Sequence, residues 1–255
     1  MAKQGPVNLV IDQGNTICKV AVYIEDELRS VRTLPRFCEQ TFDELMEEFP
    51  SISSAIYSSV GEQDDRAMAL LTSRIPTVVE LGADSLVPIE VHYDRSRLGS
   101  DRLAAAVGAC ALTGGTGEHL AIDAGTAITY ERIGASGCYL GGNISPGLHA
   151  RLRAMHEFTN RLPLVEEVQR SEGFGQDTVS AMECGALLGL LYEIEGYISA
   201  LREQHPEGRV FLTGGDADLL GQKLKSELEI VPDLVLYGLN YILEYNKHAK
   251  ENNHL

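Results

Sequence analysis

Twice along this chain an apolar run ends in Asp-x-Gly and turns straight into another apolar run. Val7 to Ile11 leads into Asp12-Gln13-Gly14-Asn15-Thr16, and Leu120 to Ile122 leads into Asp123-Ala124-Gly125-Thr126. Each copy reads as a strand, a tight polar turn and a return strand, the latter over Ile17 to Ile24 and Ala127 to Ile133. The first copy continues with a strand over Leu28 to Leu34, after a Glu25-Asp26 hairpin tip. A helix then follows from Thr41 to Phe49, with Thr41 as its N-cap and Glu44 at capping-box spacing. Ser54 to Val60 reads as a strand broken by Gly61, residues 63–74 as a helix, Val78 to Leu81 as a strand and Arg102 to Leu112 as a helix. Tyr57-Ser58-Ser59-Val60-Gly61 is echoed by Val210-Phe211-Leu212-Thr213-Gly214-Gly215, each a strand end before a helix. The pattern predicts an α/β chain of two βββαβα repeats, the second starting near residue 119. Two copies imply pseudo-twofold domains facing a cleft, because a solenoid needs at least three. The expected division is 1–116 and 117–255, with Thr113 to Gly117 as linker. Residues 179–203 carry the longest helical pattern and read as a core helix. The polar tail after Tyr245 is expected to fray.

Composition limits the partners. The 255 residues hold 21 Lys+Arg against 37 Asp+Glu, a formal net charge of −16. Phosphate backbones and anionic membranes select basic surfaces, so neither nucleic acid nor membrane is an expected partner. A nucleotide is still possible, because Mg²⁺, backbone N–H groups and a few cations can meet its phosphates. The five cysteines form no CxxC pair and fit reduced thiols. No signal peptide opens the chain, and no apolar run approaches the ~20 residues of a membrane span. The chain therefore reads as cytoplasmic.

Four segments can carry chemistry. In Asp12 to Lys19, Gly14 lets a phosphate approach the backbone. Turn N–H groups and the Thr16 hydroxyl can hold its oxygens, Lys19 adds a cation and Asp12 can hold Mg²⁺. The same residues would also make an ordinary β-turn, but a second such turn ending in Thr126 favours one nucleotide met by both. Leu98-Gly99-Ser100-Asp101-Arg102 offers a carboxylate for proton abstraction and a guanidinium for an anionic substrate; its other reading is a helix cap beside a solvated charge. Gly141 to Gly147 forms a tight loop ahead of the helix that bears His156, as a ligand loop or a structural turn. Thr213-Gly214-Gly215-Asp216 suits contact with a nucleoside. Walker A, GxGxxG, HExxH and GxSxG motifs do not occur in complete form.

These blocks, in this order and spacing, resemble the type III pantothenate kinases of the actin–hexokinase superfamily. The resemblance covers Asp12 to Lys19, Leu98 to Arg102, Asp123 to Ala127, the Gly141 to Gly147 loop, His156 with Thr159, and Thr213 to Gly215. It implies two ribonuclease H-like (actin-like ATPase) repeats packed about a nucleotide cleft. It also implies transfer of phosphate from ATP to the terminal hydroxyl of pantothenate, the first committed step towards coenzyme A. In that reading Asp12, Gly14, Asn15, Thr16, Lys19, Thr126 and Gly214 contact ATP and Asp101 is the general base. Gly99, Ser100 and Arg102 contact substrate, and Asp123 holds a monovalent cation, K⁺ or NH₄⁺. Tyr93, His156 and Thr178 line the substrate pocket, the last two from the second subunit of a homodimer. One position departs from the family: Ser96 stands where a Pro usually follows the pocket tyrosine, flanked by Arg95 and Arg97, so a looser loop is expected. Two rival readings are another small-molecule kinase or phosphatase of the superfamily, and a kinase-derived nucleotide-binding regulator without catalysis.

Overall fold

The computed structural model describes residues 6–59, 64–169 and 173–252. Val60 and Gly61, and with them the expected end of the fourth strand, lie outside these. The chain forms two compact units. The first comprises residues up to Gly115, Gly137–Tyr139 and Asp233 onwards; the second comprises Thr116–Ser136 and Leu140–Pro232.

The first unit holds β1 (Val7–Gln13), β2 (Cys18–Ile24), β3 (Glu27–Leu34), α1 (Glu39–Glu48), β4 (Ile52–Ser59), α2 (Asp65–Arg74), β5 (Thr77–Glu80) and α3 (Ser100–Leu112). The second holds β6 (His119–Ala124), β7 (Ala127–Ile133), β8 (Tyr139–Pro146, whose first residue counts with the first unit), α4 (Leu148–Glu157), α5 (Thr178–Gln204), β9 (Arg209–Thr213), α6 (Ala217–Gly221) and β10 (Glu229–Ile230). The final helix, α7 (Leu234–Asn252), returns to the first unit.

The two five-stranded sheets repeat one topology. Their orders are β3-β2-β1-β4-β5 and, read from the matching edge, β8-β7-β6-β9-β10. In each, an antiparallel hairpin (β1–β2, β6–β7) adjoins a parallel strand (β4, β9). That is the duplication read from the two Asp-x-Gly turns. Both faces of β1 are buried, with Leu9 and Ile11 in one apolar cluster and Val10 in another, as a central strand between two helical layers requires.

Three local expectations change. Thr41 is not an N-cap: α1 starts at Glu39 behind Cys38, which makes no side-chain cap. Thr41 is buried within the helix, where its position beside Phe42 and Leu45 serves packing. The tail does not fray at Tyr245, because α7 runs on to Asn252. Asn246 is buried and donates to Leu86 O at 2.9 Å, which ties the last turns down. Residues 233–252, within the span assigned from sequence to the second repeat, belong to the first unit. Leu236, Leu239, Ile242 and Leu243 of α7 join Leu103, Ala104 and Val107 of α3 in one cluster.

The α3–α7 crossing depends on two small residues. A Cβ on Gly238 would lie 1.9 Å from Ala104 O, and one on Gly108 would lie 2.6 Å from Leu234 O. The backbones are in touch, and neither can retreat from a packed interface. Gly238→Ala is expected to cost about 2 kcal/mol, read as a lower urea midpoint. An unchanged midpoint would mean that the helices separate freely.

By length and composition alone α5 could cross a membrane. Its Met182, Leu187, Leu190, Ile194 and Ile198 instead form the core of the second unit with Ile122, Ile128 and Leu212. Asp177 starts it with a reciprocal cap, taking the Ser180 N–H at 2.9 Å while Ser180 Oγ takes the Asp177 N–H.

Candidate active site

In the first unit the β1–β2 register sets Asp12 opposite Lys19 and Gln13 opposite Cys18. The turn between them is closed by Gly14 N donating to Ile17 O at 2.9 Å. Gln13 braces it from both sides: its amide donates to Gly14 O at 3.0 Å and its carbonyl accepts from Phe37 N at 3.2 Å. Asn15 and Thr16 at the tip are exposed. Behind the tip, burial and then the Asp12 charge push the Cys18 thiol up to about 12, so it stays a protonated filler. Lys19 makes an ion pair with Asp233 at 3.7 Å. Asp233 is far away in sequence and reaches the turn only because α7 folds back.

The parallel β1–β4 register sets Ser58 beside Asp12. Ser58 Oγ lies 3.4 Å from Asp12 Oδ1 and donates to Ser100 Oγ at 2.9 Å. Ser100 Oγ in turn donates to Ser59 O at 3.1 Å. The start of α3 is thereby tied to the same strand ends that carry the Asp12 turn. Asp101 sits in the first turn of α3, half-buried, with one carboxylate oxygen accepting from Arg102 N at 2.8 Å.

Arg102 is buried, which a guanidinium tolerates only with partners. Its Nη2 donates to Tyr139 Oη at 3.0 Å, and its guanidinium carbon lies 5.6 Å from the centre of the Tyr93 ring. The two tyrosine rings are 6.0 Å apart. The structure thus brings Tyr93 to the Gly99–Arg102 segment through Arg102, and adds Tyr139. The Ser96 loop is tied, where a looser loop was expected. Asp94 Oδ1 accepts from Ser96 N at 3.1 Å and from Ser96 Oγ at 2.7 Å, and Arg97 N donates to Asp94 O at 3.0 Å. This Asx-turn supplies locally what a proline ring would.

In the second unit the matching turn is closed by Gly125 N donating to Ala127 O at 3.0 Å. Gly147 N donates to Thr126 O at 3.1 Å, which docks the glycine loop on this turn. Asp216 N donates to Ala124 O at 3.0 Å. Gly214 has φ +96°, and a Cβ there would lie 2.4 Å from Asp123 Oδ1. So Asp123, Thr126, Gly147 and Gly214 converge. His156 and Thr178 are exposed and belong to this unit, whereas Asp101, Arg102 and Tyr93 belong to the other. His156 Nδ1 lies 2.8 Å from Leu162 O, and Thr159 Oγ1 donates to Met155 O at 2.8 Å.

Sequence reasoning missed the group that holds the glycine loop. Glu193 of α5 accepts from Tyr130 Oη at 2.9 Å and Ser145 Oγ at 3.3 Å, and pairs with Arg151. Arg151 also donates to Pro146 O at 2.8 Å. Burial pushes the Glu193 carboxyl up, but the hydrogen bonds from Arg151, Tyr130 and Ser145 outweigh it and hold the group below its ordinary 4.5. A depressed folded value contributes stability that is complete above the unfolded value and is lost as pH falls through the folded one. Glu193→Gln is therefore expected to cost about 2 kcal/mol near neutral pH and progressively less as pH falls below 4.5. Urea melts of both proteins across that range check it; a gap that does not narrow in acid would contradict it.

Among the described residues no group of three or more His, Cys, Asp or Glu could hold a metal ion. Mg²⁺ bound mainly through substrate phosphates needs only one or two carboxylates, and Asp12 fits that role.

A sequence profile of type III pantothenate kinases matches residues 8–200. The chain belongs to the type III pantothenate kinase family. Type III pantothenate kinases from Porphyromonas gingivalis and Bacteroides fragilis share 47% identity over 242 residues and 41% over 249 residues with it. Each alignment covers 94% of this chain and 98% of the relative. Two crystal structures share the fold alone. A Campylobacter jejuni protein described as a Baf family transcriptional activator superposes with a TM-score of 0.62 at 23% identity, covering 94% of this chain and 99% of that one. Component A of (R)-2-hydroxyglutaryl-CoA dehydratase from Acidaminococcus fermentans gives 0.51 at 14%, covering 96% and 100%. The architecture is that of actin-like ATPases and sugar kinases. In this chain that fold comprises two copies of one five-stranded sheet.

Proposed function

We propose that this chain transfers the γ-phosphoryl group of ATP to the terminal hydroxyl of pantothenate, giving 4′-phosphopantothenate and ADP at the head of coenzyme A biosynthesis. The observation that supports it best is the Asp12–Ser58–Ser100 tie, which brings a phosphate-type turn and a carboxylate–guanidinium pair to one set of strand ends. Phosphoryl transfer asks little covalent chemistry of a protein; it asks for positioned phosphates and an oriented nucleophile. The Asp12 to Lys19 turn holds the ATP phosphates through Gly14, Asn15, Thr16 and Lys19. Mg²⁺ held with Asp12 would offset the charge on those phosphates. Arg102, fixed by Tyr139 and Tyr93, takes the pantothenate carboxylate. Asp101 accepts the hydroxyl proton while that oxygen bonds to the γ-phosphorus and the bond to the ADP oxygen breaks. In the second unit Thr126 and Gly214 contact the nucleotide, and Asp123 holds K⁺ or NH₄⁺. The working form is a cytoplasmic homodimer in which His156 and Thr178 serve the partner's pocket.

Product chemistry separates this from a carboxylate kinase of the same fold. The phosphorylated product is expected to survive hydroxylamine, as a phosphate ester does. A product destroyed by hydroxylamine would be an acyl phosphate and would overturn the assignment.

A further inference from the structure

The outer face of α7 lines a cavity of about 350 Å³, bounded by Asp26, Tyr237, Asn240, Tyr241, Glu244 and Tyr245, with His248 at its end. From Tyr237 to His248 these residues recur at helical spacing of three and four, so they form one stripe. The opposite stripe, with Leu236, Leu239, Ile242 and Leu243, is in the core. The outer stripe is unusual for a solvated helix: Tyr241 is 44% exposed and Tyr245 43% exposed, beside two carboxylates.

The floor of the cavity is built rigidly. Buried Asn8 donates to Asn240 Oδ1 at 2.8 Å and to Glu244 Oε1 at 2.6 Å. Lys247 Nζ reaches Glu244 Oε1 at 2.7 Å and Asn8 Oδ1 at 3.2 Å. Both hydrogen bonds to Glu244 fall on Oε1. Asn240 Nδ2 donates to Asp26 Oδ1 at 3.2 Å. Asp26 is held there by an uncommon backbone: Glu25 and Asp26, at the β2–β3 tip, have φ of 50° and 64°. Neither is a glycine; as the two-residue tip of the hairpin they take the left-handed backbone that a type I′ turn demands, which Asp adopts more readily than most residues. Burial, then Tyr241 and Asp26, push the Tyr237 phenol up, so it stays protonated.

We propose that this cavity binds an organic monocation, an alkylammonium or guanidinium group. Aromatic faces attract such a cation, more strongly once it is desolvated. Among the described residues Lys247 pairs with Glu244, while the Asp26 carboxylate takes the neutral Asn240 amide, so an incoming cation adds positive charge beside two carboxylates. The volume falls within the range of small-molecule sites. All the lining residues lie in the first unit and none belongs to the kinase machinery above.

Calorimetric titration of the full-length protein with butylammonium, butylguanidinium and neutral butanol tests this. Either cation is expected to bind at least tenfold more tightly than butanol, with affinity falling as salt rises. Asp26→Asn keeps an acceptor for Asn240 and is expected to weaken cation binding about tenfold. Tyr241→Leu is expected to do the same and Tyr241→Phe to retain binding; all three variants keep kinase activity, which reports their folding. A lysine-containing peptide that binds with the same variant pattern, and more tightly than butylammonium, would identify the source as a protein side chain instead of a free amine. Equal binding of butanol and butylammonium, no heat with either cation, or cation binding unaffected by Asp26→Asn would each overturn the proposal.

Discussion

Asp101→Asn is expected to lower turnover by about 10²–10⁴-fold, the range for loss of a general base, while ATP binding stays close to wild type. The substitution keeps the size of the side chain and an oxygen that can still accept from Arg102 N, so the first turn of α3 has no reason to shift. The Ser58–Ser100–Ser59 chain, which seats that helix, is untouched. What is lost is a negatively charged acceptor for the hydroxyl proton. The check pairs steady-state ADP release with calorimetric ATP titration. Loss of ATP binding along with turnover would mean that Asp101 belongs to the nucleotide site.

The second large effect concerns Arg102. Arg102→Met is expected to raise the pantothenate KM by about 10²-fold, close to 2.8 kcal/mol at 1.4 kcal/mol per tenfold, and to leave the KM for ATP nearly unchanged. Methionine fills the space between Tyr93 and Tyr139 but offers a carboxylate nothing. Arg102→Lys is expected to fall between, because it keeps the charge and loses the planar fork. Michaelis constants for both substrates, with circular dichroism to confirm folding, decide the matter. A rise confined to the ATP KM would move Arg102 to the phosphates.

The parts of the site that were legible in the sequence are local. Asp-x-Gly at a strand end states its own turn, so both copies, and with them the duplication, could be read directly. Gly99 to Arg102 likewise declares a helix start with a carboxylate and a guanidinium in its first turn. What was not legible depends on distant pairing. Ser58 matters because a parallel register sets it beside Asp12, and no local pattern announces a register. Tyr139 holds Arg102 only because residues 137–139 fold with the first unit. Asp233 meets Lys19 for the same kind of reason. Glu193 is one more charge on a long helix, and nothing nearby in sequence shows that Tyr130, Ser145 and Arg151 face it. The placement of α7 was equally hidden. An amphipathic helix can dock on either sheet, and the choice follows from the Gly108 and Gly238 contacts and from Asn8 meeting Asn240.

Coupled ADP release, with ATP, Mg²⁺ and pantothenate and with K⁺ or Na⁺ as the sole monovalent cation, tests the central claim most directly. ADP release that requires pantothenate, and is faster with K⁺ than with Na⁺, is the predicted result; the K⁺ dependence tests Asp123 separately. Folded dimeric protein that binds ATP yet releases no pantothenate-dependent ADP in either salt would contradict the kinase assignment and favour a nucleotide-binding regulator built on the same fold.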